Sequence, residues 1–265
     1  HATLKAMQKF TLITGATSGI GLELAKIAAR EKRNLVLIAR SKSKLEELRD
    51  QILRQAQNDT QRVEIMALDL SKSTSVQKLF AFCEKSKIFI DELINNAGFG
   101  DYGTFAQSDV KRQLTMIDLN IRSLTELTHL LLPAMMEQKT GRIMNLGSVA
   151  SFLPGPLMSV YFASKNYVLS FSRALHEELR GCGVSVTCLC PGATQTNFGK
   201  NAQVSETHST ANPKVTAREV AEFGWYHMQA GDPIAIYGRG NRTLLQIVKF
   251  IPRNLLTRLI KHIQK

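Results

Sequence analysis

The chain has 265 residues, 44% of them apolar, and carries 34 Lys and Arg against 22 Asp and Glu. This length and composition predict one large α/β domain and argue against disorder, low complexity and solenoid repeats. No apolar run reaches the eighteen or so residues of a membrane-spanning helix. The formal net charge is +12, but the basic residues form no stripe interleaved with aromatic side chains, so nucleic-acid binding is not indicated.

Short apolar strands alternate with amphipathic helices along the chain. Strands are predicted at 10–14, 34–39, 63–68, 92–95, 142–146, 184–189 and 234–236. Helices are predicted at 19–32, 42–57, 73–87, 108–138, 159–180 and 217–229. This alternation implies a parallel sheet that is buried on both faces. Right-handed crossovers then give a single doubly wound, Rossmann-like domain with three α/β/α layers.

The domain is expected to span residues 9–240. Residues 1–8 form a short basic lead without a signal-peptide pattern, and His1 is interpreted as a cloning remnant. Residues 241–265 form a basic extension. A cytoplasmic protein is expected.

The cysteines and histidines restrict redox and metal chemistry. Cys83 and Cys182 are isolated, while Cys188 and Cys190 alternate along one strand face. Because there is no C-x-x-C pair, reduced and buried thiols are expected. The six histidines show no ligand spacing, so no metal site is predicted.

A glycine-rich stretch, Thr14-Gly-Ala-Thr-Ser-Gly-Ile-Gly21, follows the first strand and opens the first helix. Gly15 permits a tight turn, while Gly19 and Gly21 let backbone N–H groups and the helix N-terminus approach a pyrophosphate. The spacing differs from the commoner G-x-G-x-x-G, and a glycine turn without a ligand is the alternative. The position directly after the first strand favours dinucleotide binding.

The end of the second strand selects the dinucleotide. An acidic residue there would bind the adenine ribose hydroxyls of NAD, whereas a basic residue can bind the 2′-phosphate of NADP. The chain has Arg40 at this point, with Ser41 and Lys44 close behind. A guanidinium can bind a phosphate through two parallel hydrogen bonds. The sequence therefore predicts NADP, with an ordinary solvated arginine as the alternative.

The stretch from Ser148 to Lys165 carries the residues best suited to proton transfer. Its second half has helical spacing, so Tyr161 and Lys165 lie on one face. An ammonium one turn away is expected to lower the pKa of the phenol, which is about 10 when unperturbed. Such a tyrosine can exchange a proton with an alcohol oxygen, and Ser148 can hold the same oxygen. Alternatively, Tyr161 is a core or interface residue.

Taken together, these motifs resemble those of the short-chain dehydrogenase/reductases. The matching residues are Thr14-Gly-x-x-x-Gly-x-Gly21, Asp69, Asn95-Asn-Ala-Gly98, Asn120, Ser148, Tyr161-x-x-x-Lys165, Pro191-Gly192 and Thr196. Their order, with Ser148 thirteen residues before Tyr161, makes the resemblance specific over residues 9–240.

The resemblance implies a role for each matching residue. Tyr161 would be the general acid or base, Lys165 would lower its pKa and bind the nicotinamide ribose, and Ser148 would orient the substrate carbonyl. Asn120 would hold a water molecule linking Lys165 to solvent. Asp69 and Leu70 would contact adenine, Asn96 to Gly98 its ribose, and Pro191 to Thr196 the nicotinamide. The residues expected to contact the cofactor are Gly15, Thr17, Ser18, Gly19, Ile20, Gly21, Arg40, Ser41, Lys44, Asp69, Leu70, Asn96, Ala97, Gly98, Tyr161, Lys165, Pro191, Gly192, Thr194 and Thr196.

The substrate is expected to be a lipophilic carbonyl compound or alcohol. The loop after Gly98 and the basic tail resemble a bacterial reductase branch that is similar to ketoacyl and hydroxysteroid reductases. Apolar side chains are expected to form the substrate pocket, namely Phe99, Phe152, Leu153, Met158 and Phe198. The polar segment 195–213 is expected to form a mobile lid. The competing hypothesis is a dinucleotide-binding redox sensor or scaffold with vestigial catalysis.

Two further expectations concern contacts with other molecules. The resemblance implies a homodimer or homotetramer that pairs through the helices at 108–138 and 159–180. In the tail, Leu255, Leu256, Leu259, Ile260 and Ile263 fall on one stripe of a basic amphipathic helix. This stripe can pack on its own fold or a neighbouring subunit, or it can bind the surface of an anionic membrane. Both alternatives stay open.

Overall fold

Seven parallel strands form one sheet in the computed structural model, which describes residues 7–56, 60–202 and 215–264. The strands are β1 (Gln8–Thr14), β2 (Asn34–Ala39), β3 (Val63–Ala67), β4 (Ile88–Asn95), β5 (Gly141–Leu146), β6 (Val184–Cys190) and β7 (Ile234–Ile236). Their order is β3-β2-β1-β4-β5-β6-β7, with every neighbouring pair parallel. The strand order therefore reverses between β1 and β4, where the two halves of a doubly wound sheet meet.

Helices cover both faces of the sheet. They are α1 (Gly19–Arg30), α2 (Lys42–Gln55), α3 (Ser75–Lys85), α4 (Val110–Ile117), α5 (Leu124–Glu137), α6 (Ser159–Glu178), α7 (Phe198–Asn201), α8 (Ala217–Ala230), α9 (Arg239–Val248) and α10 (Arg253–Ile263). Buried apolar side chains of α1, α2 and α8 form the core on one face, and those of α3, α5 and α6 form it on the other. The predicted three-layer α/β/α architecture is confirmed.

Two elements differ from their predicted bounds by more than the one or two residues seen at other element ends. β4 begins at Ile88 rather than at residue 92, because β1 and β4 shift register between Phe10 and Thr11 and the shift accommodates the acidic Asp91 within the strand. The helix predicted at 108–138 is broken into α4, a π-helical turn at Asp118–Ser123 and α5. π-turns frequently occur at functional sites, and this one contains Asn120.

The C-terminal extension forms two helices, α9 and α10, on either side of Pro252. The predicted apolar stripe on α10 is divided between buried and exposed side chains. Leu256 and Ile260 are buried, whereas Leu255 and Leu259 are exposed. One residue is about 100° of helix, so the stripe is wide enough to be divided between the protein and its surroundings.

Parts of four predictions fall outside the described residues: the start of the lead at His1, residue 57 at the end of the second helix, residues 203–213 of the lid and the last residue of the tail. Within the described ranges, Gln195 pairs with Thr216 in an isolated parallel bridge. In the same part of the chain, no helix is both long and apolar enough to cross a bilayer. Among the described residues, no group of three or more His, Cys, Asp or Glu side chains is placed to bind a metal ion.

Candidate functional site

The predicted site residues converge on the carboxyl edge of the sheet, where the strand order reverses. At the end of β1, Gly15 has a φ of 67° and Gly19 a φ of 54°, a backbone region that side chains disfavour. A Cβ on Gly19 would lie 3.1 Å from the Thr196 methyl group. The first turn of α1 contains no acidic residue, and the Ser18 side chain makes no cap hydrogen bond. The N–H groups of this turn can therefore serve an anionic group.

The side chain of Asn96 holds this glycine loop in place, a role that sequence reasoning missed. Its Nδ2 donates to the carbonyl oxygens of Thr14 and Gly15 at 2.9 and 3.2 Å. The Thr14 hydroxyl accepts hydrogen bonds from the backbone N–H groups of Asn96 and Ala97. The expectation that Asn96 lines the adenine ribose stays a prediction. No local pattern shows the role of its side chain, because the partners are more than 80 residues apart in sequence.

The ends of β2 and β3 bring the charged residues of the adenine side together. Arg40 is exposed at the end of β2, and Ser41 caps α2 by accepting a 3.4 Å hydrogen bond from the N–H of Lys44. Burial raises the pKa of Asp69, but hydrogen bonds from Ser71 and the charges of Arg40 and Lys72 outweigh it and leave the pKa lowered. Arg40 therefore lies close enough to Asp69 to lower the pKa of its carboxyl group.

These residues fit a phosphorylated dinucleotide. The N-terminus of α1 has no acidic residue in its first turn and no side-chain cap from Ser18. Arg40 and Lys44 are both exposed beside it, so a phosphate has cationic partners. Leu70 is buried and offers an apolar contact.

Ser148 and Tyr161 meet above the end of β5. Ser148 caps a short 3-10 helix, Val149–Phe152, in which it accepts a 3.1 Å hydrogen bond from the N–H of Ala150. Ser151 returns the bond by accepting from the N–H of Ser148. With its backbone fixed in this way, the Ser148 side chain lies near enough to the Tyr161 hydroxyl to lower the pKa of that phenol, against the larger effect of burial. The two predicted hydroxyls therefore point at one place.

Lys165 and Asn120 meet behind Tyr161. Lys165 is buried, and its Nζ donates to the carbonyl oxygen of Leu146 at 2.6 Å. A Cβ on Gly98 would lie 3.0 Å from Asn120 Oδ1 and 3.5 Å from Lys165 Nζ. The π-turn points Asn120 inwards, so that its Nδ2 donates to Phe99 O and Ser164 Oγ. Ser164, which no motif indicates, connects Asn120 to the backbone of the Tyr161 helix.

The expected lowering of the Tyr161 pKa is not found. Burial raises the pKa of Tyr161 to about 12, and the hydrogen bond with Ser148 only partly opposes this rise. The Lys165 Nζ lies 6.0 Å from the centre of the Tyr161 ring. Burial also lowers the pKa of Lys165 to about 8. Helical spacing puts the two side chains on one face, but desolvation of both groups decides their pKa values.

The segment after β6 lies against the glycine loop. Pro191 accepts a 2.9 Å hydrogen bond from the N–H of Val149, which links this segment to Ser148. Thr194 donates to Gly192 O at 3.0 Å, and Thr196 accepts from the N–H of Phe198. The predicted nicotinamide contacts therefore lie between Gly19 on one side and the hydroxyl pair on the other.

Apolar side chains surround the Tyr161 ring. Four of the five expected pocket residues pack in its cluster, namely Phe99, Leu153, Met158 and Phe198. The Phe198 and Tyr161 ring centres are 5.2 Å apart. Phe152 is the exception, because the 3-10 turn directs it to a different cluster with Tyr167 and Phe171.

Two buried thiols lie directly beneath the hydroxyl pair and Lys165. Cys188 and Cys190 face the same way on β6, with their sulfur atoms 3.7 Å apart. A Cβ on Gly147 would lie 2.8 Å from the Cys188 sulfur, which explains why glycine precedes Ser148. Both cysteines are free and buried, as expected, and so is Cys83. Cys182 is only partly buried.

Comparison with known proteins places this site in a family. The sequence matches the short chain dehydrogenase family over residues 9–207. It is 35% identical to sulfoacetaldehyde reductase 2 of Chromohalobacter salexigens, over 83% of this chain and 88% of that protein. It is 32% identical to ketoacyl reductase HetN of Nostoc sp., over 80% of this chain and 69% of that protein.

A solved structure agrees with the fold. A short-chain dehydrogenase from Sphingobium yanoikuyae, in complex with NADPH, superposes with a TM-score of 0.80 at 29% identity. The match covers 93% of this chain and 97% of that protein. The chain is therefore a member of the short-chain dehydrogenase family and an oxidoreductase acting on CH–OH or C=O groups.

Proposed function

We propose that the protein is an NADPH-dependent reductase of a lipophilic carbonyl compound, with the reverse alcohol oxidation available to the same site. The observation that carries this proposal is the meeting of the Ser148 and Tyr161 hydroxyls beneath an apolar cluster and beside a buried Lys165. A redox sensor or scaffold would have no need of this proton-transfer pair.

In this mechanism Ser148 and Tyr161 hold the carbonyl oxygen. When bound, the reduced nicotinamide supplies the hydride to the carbonyl carbon. Tyr161 donates its proton to the oxygen as charge develops there. Its pKa of about 12 keeps the phenol protonated near neutrality, which is the form that reduction requires. Lys165 would bind the nicotinamide ribose, and Asn120 would hold a water molecule that returns the proton.

The apolar cluster around Tyr161 supports a lipophilic substrate. A relative named for a ketoacyl substrate agrees with this class. A relative named for sulfoacetaldehyde suggests a small anionic substrate instead. One cation beside the cluster, Arg112, stacks on Phe99 and is bound by the buried Asp101 at 2.6 Å. Because this charge is already compensated, a sulfonate is the less favoured ligand.

A substrate screen tests the proposal. The purified chain is mixed with NADPH and with acyl, steroid and aromatic ketones, with sulfoacetaldehyde as the small anionic comparison, and the loss of NADPH absorbance is followed. We expect the highest kcat/KM for an apolar ketone. A preference for sulfoacetaldehyde would refute the substrate class, and no turnover of any carbonyl would favour the redox sensor or scaffold.

Cofactor preference depends on Arg40. We expect NADPH to be favoured over NADH, and Arg40→Asp to erase or reverse the preference. Loss of a charge-assisted phosphate contact should cost about 10- to 100-fold in kcat/KM for NADPH. The control is Arg54→Asp at the other end of α2, which makes the same charge change. An NADH preference in the unmutated protein would refute the assignment.

We further propose a homodimer or homotetramer that pairs through α4, α5 and α6. Val110, Leu114 and Ile117 are exposed and follow helical spacing on α4. Light scattering at micromolar concentration should give at least twice the chain mass of 29.5 kDa. Leu114→Asp should reduce this mass, whereas Leu53→Asp, another exposed leucine on α2, should not. A monomeric unmutated protein would exclude the assembly.

A further inference from the structure

The last two helices have an inner and an outer apolar face. Leu245, Leu256 and Ile260 are buried on the inner face. The outer apolar face consists of six exposed side chains: Leu244, Ile247, Phe250, Leu255, Leu259 and Ile263. Phe250, between the helices, is 87% exposed. Leu255, Leu259 and Ile263 recur every fourth residue, so they form a continuous line along α10.

The charges around this face have one sign. No Asp or Glu follows Asp232 in the sequence. Seven basic residues do: Arg239, Arg242, Lys249, Arg253, Arg258, Lys261 and Lys265. Arg258 and Lys261 are exposed on α10. A second copy of the same face would bring these cations against one another, which disfavours self-association there. An anionic surface would be attracted to the same cations.

The two helices that carry the outer apolar face lie beside the candidate active site. At its start, α9 contacts the segment after β6, since a Cβ on Gly192 would lie 2.5 Å from Asn241 Nδ2. At its end, the tail accepts a hydrogen bond at Gln264 O from the Tyr102 hydroxyl at 2.5 Å. Tyr102 belongs to the same loop as Gly100, where a Cβ would lie 3.3 Å from the Tyr161 ring.

We propose that the outer apolar face docks the protein on an anionic lipid membrane, next to the entrance of the catalytic site. Exposed apolar side chains flanked by cations are the pattern of helices that lie in the membrane interface. The delivery of a lipophilic carbonyl substrate from the bilayer rests on the proposed reductase function. The membrane contact itself does not rest on it.

Co-sedimentation with vesicles tests the contact. The full chain is mixed with vesicles of phosphatidylcholine and phosphatidylglycerol, and with vesicles of phosphatidylcholine alone. We expect binding to the anionic vesicles that weakens as salt rises. Arg258→Gln with Lys261→Gln should lower the partition coefficient about 30-fold, which corresponds to about fivefold per cation. The control pair Lys78→Gln and Lys85→Gln, on α3, should bind nearly as well as the unmutated protein.

A second variant tests the apolar side chains. Phe250→Ser with Leu255→Ser and Leu259→Ser alters only exposed positions, so folding should be retained, and circular dichroism checks this. Binding to anionic vesicles should fall at least tenfold, whereas Leu53→Ser should leave it unchanged. Absence of binding by the unmutated protein, or equal binding by the triple variant, would overturn the proposal. A loss of oligomer mass in the triple variant without vesicles would overturn it in favour of a subunit interface.

Activity separates this inference from the proposed function. Anionic vesicles should raise the rate with a bilayer-dissolved long-chain ketone but not with a water-soluble ketone. The triple variant should lose this increase and keep the rate with the soluble ketone. Vesicle binding without any carbonyl turnover would support the docking surface and refute the reductase. Carbonyl turnover without vesicle binding would support the reductase and refute the docking surface.

Discussion

Tyr161→Phe should lower kcat for carbonyl reduction by about 10² to 10⁴-fold, the usual contribution of a positioned general acid. The variant removes only the Tyr161 hydroxyl, whose pKa Ser148 lowers. Ser148 keeps its position, because it is also held by the N–H of Ala150 and by Ser151. NADPH affinity, measured by fluorescence titration, should therefore change little. The fold should lose only about 1 kcal/mol, the net value of one hydrogen bond.

Tyr167→Phe is a matched control for this experiment. Tyr167 lies on the same helix, stacks on Phe171 and shares a 2.9 Å hydrogen bond with Thr125. It packs in a different cluster from Tyr161. We expect its removal to leave kcat within a factor of about two. If Tyr161→Phe retained half of the activity, Tyr161 could not be the proton donor.

Lys165→Met should reduce kcat and weaken NADPH binding together, because the ammonium is expected to serve both the phenol and the nicotinamide ribose. We expect a loss of at least about 10²-fold in kcat/KM. The unmutated protein should also lose activity above pH 8, where the ammonium deprotonates. A variant with normal NADPH affinity would contradict the ribose role. A flat rate between pH 7 and pH 9 in the unmutated protein would contradict the need for the charge.

The same substitution should make the fold more stable at pH 7. Burial lowers the pKa of Lys165 from 10.5 to about 8. Keeping the buried ammonium charged therefore lowers the free energy of unfolding at any pH below about 8. This difference in pKa corresponds to about 3 kcal/mol, partly offset because Leu146 O loses its hydrogen bond. Between pH 8 and 10.5 the unfolded chain binds more protons than the native state, so the stability of the unmutated protein rises with pH. The advantage of Lys165→Met in urea unfolding should therefore shrink over that range.

The architecture could be predicted because its determinants are local in sequence. The bounds of β2 and β7 agree with the apolar runs at residues 34–39 and 234–236. Alternation of strands and helices then implies a parallel sheet. The predicted β4 is too short, because the acidic Asp91 is buried within the strand and interrupts the apolar run.

The candidate site could be predicted as a set of residues but not as a set of interactions. The glycine loop and the spacing from Ser148 to Tyr161 indicate which residues gather at the sheet edge. Sequence motifs do not reveal the hydrogen bonds that hold these residues in place. Examples are the bond from Asn96 to the glycine loop and the bond between Asn120 and Ser164. Such hydrogen bonds join residues far apart in sequence, and only the folded chain brings them together.

By itself, the sequence determined the alternation of strands and helices, the glycine loop and the proton-transfer residues. Each of these depends on neighbours within a few residues. The tertiary structure alone decided the pKa values of the proton-transfer residues. Burial raises the pKa of Tyr161 and lowers that of Lys165, against the expectation from helical spacing. It also decided which side of the C-terminal stripe is covered and which is exposed. Both outcomes depend on exclusion of water, and that is a property of the packed molecule rather than of any segment.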